Sequence, residues 1–134
     1  MKIINGGVCA AKGFSAAGIH AGIRKNKEKM DLALILSSTP ATAAGCYTQN
    51  LVKGAPLWVT KKNIENGVAR AVVCNSGNAN TCNSDGIEVA EKMCQIVADN
   101  TDVLAEDVVV ASTGVIGQGL PIERIRKGAF EMKG

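Results

Sequence analysis

The fold is decided by Val108-Val109-Val110-Ala111-Ser112-Thr113-Gly114-Val115-Ile116-Gly117, an apolar run that breaks abruptly into small, hydroxyl-bearing and glycine residues. Val108 to Ser112 reads as a buried strand, because unbroken β-branched runs suit a sheet layer covered by other elements. A strand that ends in Ser-Thr-Gly places one side-chain hydroxyl and one glycine amide at its carboxyl edge, where open α/β sheets bind ligands. Donors of this type, here on Thr113 and Gly114, suit the stabilisation of an oxyanion. The same dipeptide also fits a plain strand-to-helix turn, and the residues alone leave both readings open.

Working outward, Ala69-Arg70-Ala71-Val72-Val73-Cys74 is a second near-continuous apolar strand, and two such runs predict a covered sheet. It leads into Asn75-Ser76-Gly77-Asn78-Ala79-Asn80, read as a loop because Asn and Gly tolerate left-handed backbone and expose amides. Asn75, Ser76, Gly77 and Asn78 are therefore candidate pocket residues, on a loop that leaves the carboxyl end of a different strand. Asp85-Gly86-Ile87-Glu88 has the spacing of a capping box and opens a helix that ends near Asn100. Ile87, Ala90, Cys94 and Val97, with Met93 beside them, form its apolar face, and Glu88, Glu91, Lys92 and Gln95 the opposite one. Pro121 at a first helical position starts a last helix, with Ile122, Ile125 and Phe130 facing inward.

Toward the amino terminus, Cys9 to Ile23 and the strand Asp31 to Ser38 form a hairpin. The charged segment Arg24-Lys25-Asn26-Lys27-Glu28-Lys29 between them reads as a solvated turn in preference to a phosphate-binding patch. Pro40 argues against continuing the strand, and Ala41 to Val59 has room for one or two short strands at Tyr47-Thr48 and Leu57-Trp58-Val59-Thr60. Lys61 to Asn66 is a short polar helix or turn closed by Gly67. The whole predicts a single α/β domain of layered sheet and helices over residues 1–134.

Composition bounds the function. A hydrophobic fraction of 46% with 20% charged residues is that of a globular domain, and 134 residues bury one modest core. The net charge of +3 and the scattered Phe14, Tyr47, Trp58 and Phe130 point away from nucleic acid and from a membrane surface. Five cysteines without a Cys-x-x-Cys pair fit free, buried thiols in a reducing compartment, and with one histidine they predict no metal site. Met1-Lys2-Ile3-Ile4 is cut short by Asn5-Gly6-Gly7, which predicts no secretory leader and a cytoplasmic location. Neither Gly7 to Gly13 nor Gly114 to Gly119 has the residue order of a phosphate loop. His20 lies far in sequence from any Ser or Cys that it would need to activate, so it reads as structural or surface. The chain thus offers oxyanion donors without a nucleophile and base to match.

Five segments, taken together, resemble a known family: Gly13-Phe14-Ser15-Ala16-Ala17-Gly18, Asp31-Leu32-Ala33-Leu34-Ile35, Pro40-Ala41-Thr42-Ala43-Ala44-Gly45, Asn75 to Asn80, and Ser112 to Gly117 with Leu120-Pro121. In this order and spacing they are similar to the amino-terminal part of the ornithine acetyltransferase (glutamate N-acetyltransferase) family of arginine biosynthesis. The resemblance implies a precursor that cuts itself before an internal threonine to give an α and a β chain. The freed threonine is then the nucleophile that carries acetyl from N-acetylornithine to glutamate. It further implies that Thr113 and Gly114 hold the oxyanion, that no cofactor is needed, and that acetyl-coenzyme A serves as a substrate if the enzyme is bifunctional. The implied partners are the β chain of the same precursor in an α2β2 or higher assembly.

On this resemblance the chain is an incomplete α-chain portion, inactive alone, and Glu131-Met132-Lys133-Gly134 carries no cleavage signature. A sheet severed from its neighbours is expected to have open edges and to self-associate. Two other readings stand beside it: a portion of a self-processing aminopeptidase or amidohydrolase, and a non-catalytic binding or assembly module.

Overall fold

The computed structural model describes residues 3–132. The expectations about a leader at Met1 to Ile4 and about the tail Glu131 to Gly134 fall partly outside them. A four-stranded mixed sheet has the strand order β1 (Phe14–Ile19), β2 (Leu32–Thr42), β3 (Val68–Asn78), β4 (Val108–Val115). β1 and β2 form the antiparallel hairpin expected from the sequence, β2 and β3 are antiparallel, and β3 and β4 run parallel. The parallel pair is connected through α2 (Gly86–Asn100), while α1 (Ala55–Asn63) precedes β3 and α3 (Ile122–Glu131) follows β4.

Alternation along the strands decides which face is the core. Leu32, Leu34, Ala71, Val73, Val108 and Val110 are buried and form one cluster with Met93, Ile96 and Val97 of α2 and Ile125 of α3. Full burial of a Val, Leu, Ile or Met side chain contributes about 1.5–3 kcal/mol. The intervening residues form the other face in two cross-strand rows, Ala16-Ile35-Val72-Val109 and Gly18-Ala33-Cys74-Ala111. The central members of these rows are only half-buried. The apolar runs that predicted a sheet covered on both sides are therefore covered on one, among the described residues.

Several sequence expectations are corrected. β2 continues through Pro40, because the register shifts between Leu36 and Ala41 and the proline sits in a bulge beyond Ser37, the last residue paired with β1. Leu57 to Thr60 is helix, not strand: Pro56 occupies the first turn of α1, and Pro56, Val59 and Thr60 turn inward. Tyr47-Thr48 is irregular. β3 runs on through Asn78, so Asn75 to Asn78 are strand and not loop, and β4 continues to Val115 beyond the expected Ser112. Gly67, at φ 76°, closes the short 3-10 turn Ile64–Asn66 as expected.

α2 begins at the expected place, but Asp85 makes no side-chain cap and Ile87 is exposed, the buried stripe being Val89, Ala90, Met93, Cys94, Ile96 and Val97. In α3, Pro121 is the cap residue, and Phe130 is 69% exposed. The reason is Gly128: a Cβ there would stand 2.9 Å from both Ile19 and Leu32 side chains, so the helix approaches the sheet through Gly128 and Ala129 and turns Phe130 outward.

The β4 edge is not open. From one face of α1, Thr60 Oγ1 donates to the Val110 carbonyl at 2.8 Å and accepts from the Val110 amide at 3.0 Å. Three residues on, Asn63 Nδ2 donates to the Val108 carbonyl at 2.8 Å and to that of Ala105 at 3.2 Å. Two side chains thus occupy the ladder groups that an added strand would need.

Candidate active site

Because β3 and β4 are parallel, their carboxyl ends meet at one edge of the sheet. Asn75 pairs with Ser112, Ser76 with Thr113 and Gly77 with Gly114, after which the register breaks at Asn78. The two loops that the sequence placed near one another are thus brought together, as strand ends. Gly77 and Gly114 both have left-handed backbone, at φ 105° and 133°. A Cβ on Gly114 would run into Gly77 and stand 2.5 Å from the Asn78 nitrogen. Only glycine permits this approach of two backbones.

The four candidate residues on β3 divide by burial. Ser76 and Gly77 line an open cleft of about 700 Å³ that also reaches Thr113, Gly114 and Val115. Asn75 and Asn78 are buried side chains with structural partners. Asn75 Nδ2 donates to the Asn78 carbonyl at 3.0 Å, and Asn78 Nδ2 donates to the carbonyls of Gln118 and Gly119 at 2.9 and 3.1 Å. Asn78 Oδ1 accepts from the Asn80 amide at 2.8 Å, and Asn80 Nδ2 reaches the Gly86 carbonyl at 2.8 Å. Asn83 completes the frame on the Gln118 carbonyl. This amide network ties the end of β3 to the segment after β4 and to the start of α2. Asn75 and Asn78 therefore brace the lip of the cleft.

Thr113 and Gly114 are exposed at that lip. Thr113 also borders a smaller, mainly apolar hollow of about 330 Å³ on the uncovered sheet face, beside Gly18, Ala33, Cys74 and Ala111. Flanking hydroxyls are engaged: Ser76 Oγ accepts from Arg24, and Ser112 Oγ lies 4.0 Å from Met93 Sδ.

A part of the site that the sequence reading missed comes from the turn between β1 and β2. Asp31 is 2% exposed; its Oδ1 accepts the Ala21 amide at 2.6 Å and its Oδ2 the Arg24 amide at 2.7 Å. His20 Nδ1 lies 3.4 Å from Asp31 Oδ2 and 3.0 Å from the Lys29 carbonyl oxygen, which gives this histidine a structural place. The Asp31 carbonyl in turn accepts the Ser76 amide at 2.9 Å. The turn is therefore fastened to β3, and Arg24 Nη1 donates to Ser76 Oγ at 3.0 Å. The segment read as a solvated turn brings two of its cations, Arg24 and Lys25, to the cleft. The signal in the sequence was the lone acid, Asp31, opening an apolar strand.

Five cysteines are free; only Cys94 is buried, and burial pushes its thiol up to about 11. Cys74, half-buried on the uncovered face, is raised by the same cause, whereas Cys9, Cys46 and Cys82 are exposed, against the expectation that all five are buried. Among the described residues no group of three or more His, Cys, Asp or Glu side chains is placed to hold a metal ion, and no helix is long and apolar enough to cross a membrane.

The sequence profile of the ArgJ family matches residues 15–134. The chain belongs to the ArgJ family. It is 45% identical over 129 residues to the arginine biosynthesis bifunctional protein ArgJ of Caldanaerobacter subterraneus subsp. tengcongensis, covering 96% of this chain and 32% of that protein. It is 51% identical over 128 residues to the ArgJ protein of Gloeobacter violaceus, covering 94% of this chain and 31% of that one. The chain thus spans about a third of the length of these relatives.

Solved ArgJ structures share the fold. The crystal structure of the Bacillus halodurans protein superposes with a TM-score of 0.86 at 40% identity, over 91% of this chain and 64% of that one. The ornithine acetyltransferase of Mycobacterium tuberculosis, solved in complex with ornithine, superposes with a TM-score of 0.87 at 37% identity, over 92% and 67%. The family resemblance of the five sequence segments is thereby upheld, and with it the α/β class.

Proposed function

We propose that this chain is the amino-terminal, α-chain portion of an acetyltransferase that moves acetyl from N-acetylornithine to glutamate in arginine biosynthesis, and that it supplies the oxyanion donors. The observation that carries the reading is the placement of Thr113 and Gly114 at the lip of an open cleft, at the carboxyl ends of two parallel strands, in a chain of the ArgJ family.

In this reading the nucleophile is a threonine on a β chain cut from the same precursor. Its hydroxyl oxygen attacks the acetyl carbonyl carbon, and the hydroxyl proton passes to the threonine's own amino group. The negative charge that develops on the carbonyl oxygen is met by the Thr113 hydroxyl and the Gly114 amide. The carbon–nitrogen bond breaks, the departing nitrogen takes the proton, and ornithine leaves an acetyl ester on the threonine. The amine of glutamate then attacks that ester, giving N-acetylglutamate and restoring the hydroxyl. A donor of the Thr113 type contributes about 3 kcal/mol to the transition state.

No cofactor takes part. Acetyl-coenzyme A acts as a second acyl donor if the enzyme is bifunctional, as the names of the relatives describe those proteins. The assembly is α2β2 or higher and works in the cytoplasm, and the chain without its β partner is inactive.

The test is to express this chain together with the remainder of its polypeptide and supply N-acetylornithine. Ornithine release and an acetylated threonine seen by mass spectrometry, followed by N-acetylglutamate once glutamate is added, are expected. Peptide hydrolysis without acetyl transfer, or turnover at normal rates by the 134-residue chain alone, would contradict the reading.

A further inference from the structure

The cleft beside Thr113 and Gly114 is one-sided in charge. Its lining includes Arg24 and Lys25 and no carboxylate. Lys25 sits on the outer turn, but Arg24 is fixed. Its amide is held by the buried Asp31 at 2.7 Å, and its guanidinium Nη1 donates to Ser76 Oγ at 3.0 Å. Its stem crosses Gly77 so closely that a Cβ there would stand 2.8 Å from Arg24 Cγ. Asp31, the acid nearest in the turn, has each oxygen turned to a backbone amide. Among the described residues Arg24 forms no ion pair, in contrast to Arg70 and Arg126, which do. A guanidinium presents a fork of five N–H donors matched to a carboxylate, and only one is engaged here, by a neutral hydroxyl.

The geometry points to Arg24 as the group that recognises the α-carboxylate of an Nα-acylated amino acid while its acyl carbonyl rests at Thr113 and Gly114. This inference rests on the proposed acetyl transfer and names what the cleft would read in its substrates. In such a compound two atoms separate the carboxylate carbon from the acyl carbonyl carbon. Arg24 is anchored on Ser76, which pairs across the ladder with Thr113, so the guanidinium and the Thr113 hydroxyl belong to adjacent strand ends at one cleft. N-acetylornithine and N-acetylglutamate share this carboxylate and differ only beyond it, so one arginine serves both halves of the exchange.

The test uses the complete enzyme, with N-acetylornithine and its α-carboxamide as paired substrates. Hydrogen bonds to a charged partner of this kind are worth about 10–100-fold in affinity. Arg24→Gln is therefore expected to raise KM for N-acetylornithine about 10–100-fold and to change kcat little. It should also abolish the preference for carboxylate over carboxamide, and Arg24→Lys should restore part of that preference. Equal changes for both substrates, or none for either, would overturn the inference. So would a raised KM for acetyl-coenzyme A alone, which would assign the arginine to a phosphate.

Equilibrium binding separates this from failure of the functional reading. If the wild-type enzyme transfers no acetyl group, calorimetry with N-acetylglutamate and its α-amide still decides. Binding of the acid alone, lost in Arg24→Gln, supports the subsite; equal affinity of the wild type for both compounds overturns it. The Arg24 amide bond to Asp31 does not involve the side chain, so both variants should keep the wild-type melting temperature.

Discussion

Gly114 lies directly across the parallel ladder from Gly77, and a side chain on Gly114 would collide with the Gly77–Asn78 peptide. The collision is with backbone, which cannot rotate away, and the φ of 133° adds strain for any other residue. Gly114→Ala should therefore cost about 3 kcal/mol or more, combining overpacking with a disfavoured backbone conformation. Urea denaturation checks it. A Cβ on Gly77 would meet side-chain atoms of Arg24 and Ile23 and no backbone atom closer than 3.4 Å, so the loss from Gly77→Ala should be smaller; equal losses would show that the approach of the two strands is not the constraint.

Thr60→Val should destabilise by about 2–4 kcal/mol, because it leaves the Val110 amide and carbonyl without their partner at a buried edge. Hydrogen exchange at the Val110 amide should accelerate far more than at Val73, in the interior strand. Unchanged protection at Val110 would mean that α1 does not seal the β4 edge.

Asp31→Ala removes the acceptor of two backbone amides and should release the turn that carries Arg24. A loss of about 3–5 kcal/mol is expected, since hydrogen bonds to a charged group are the stronger kind. Asp31→Asn keeps one acceptor and should lose less. Melting curves of the two variants, compared at one pH, give the ranking, and a neutral Asp31→Ala would contradict the anchoring role.

Cys94 supplies a pH dependence. Burial raises its thiol from 9.0 to about 11, opposed by the Asn63 amide and aided by the charge of Glu91. An unfolded chain releases this proton near 9.0 while the native state retains it to about 11, so the native state binds more protons in that window. Stability from this group is complete below the lower value and falls as pH rises through the window, by about 2–3 kcal/mol in all. The stability difference between wild type and Cys94→Ala, measured by urea denaturation at a series of pH values, should shrink accordingly. A difference that stays constant across the window would refute it.

What was legible in the sequence follows from where information is local. The β1–β2 hairpin, the apolar parts of β3 and β4, and the amphipathic α2 could be read because burial repeats at their own period within a few residues. Leu57 to Thr60 could not: Trp58, Val59 and Thr60 favour strand by propensity. Their helix is settled by Pro56 and by the hydrogen bonds that Thr60 makes fifty residues away on β4. Phe130 was expected on the inward face with Ile122 and Ile125, yet the close contact at Gly128 turns it out.

In the candidate site, Thr113 and Gly114 announce themselves through the end of an apolar run. Asn75 and Asn78 signalled a loop by composition, while their amides brace distant carbonyls that only the folded chain brings near. Arg24 was hidden in a charged segment because its partner, Ser76, is far along the chain.

The central claim is that Thr113 stabilises charge in the transition state without shaping the fold. Thr113→Ala in the complete enzyme should lower kcat for acetyl transfer from N-acetylornithine by about 100–1,000-fold, with the melting temperature close to wild type. Unchanged kcat in a folded Thr113→Ala enzyme would contradict the account.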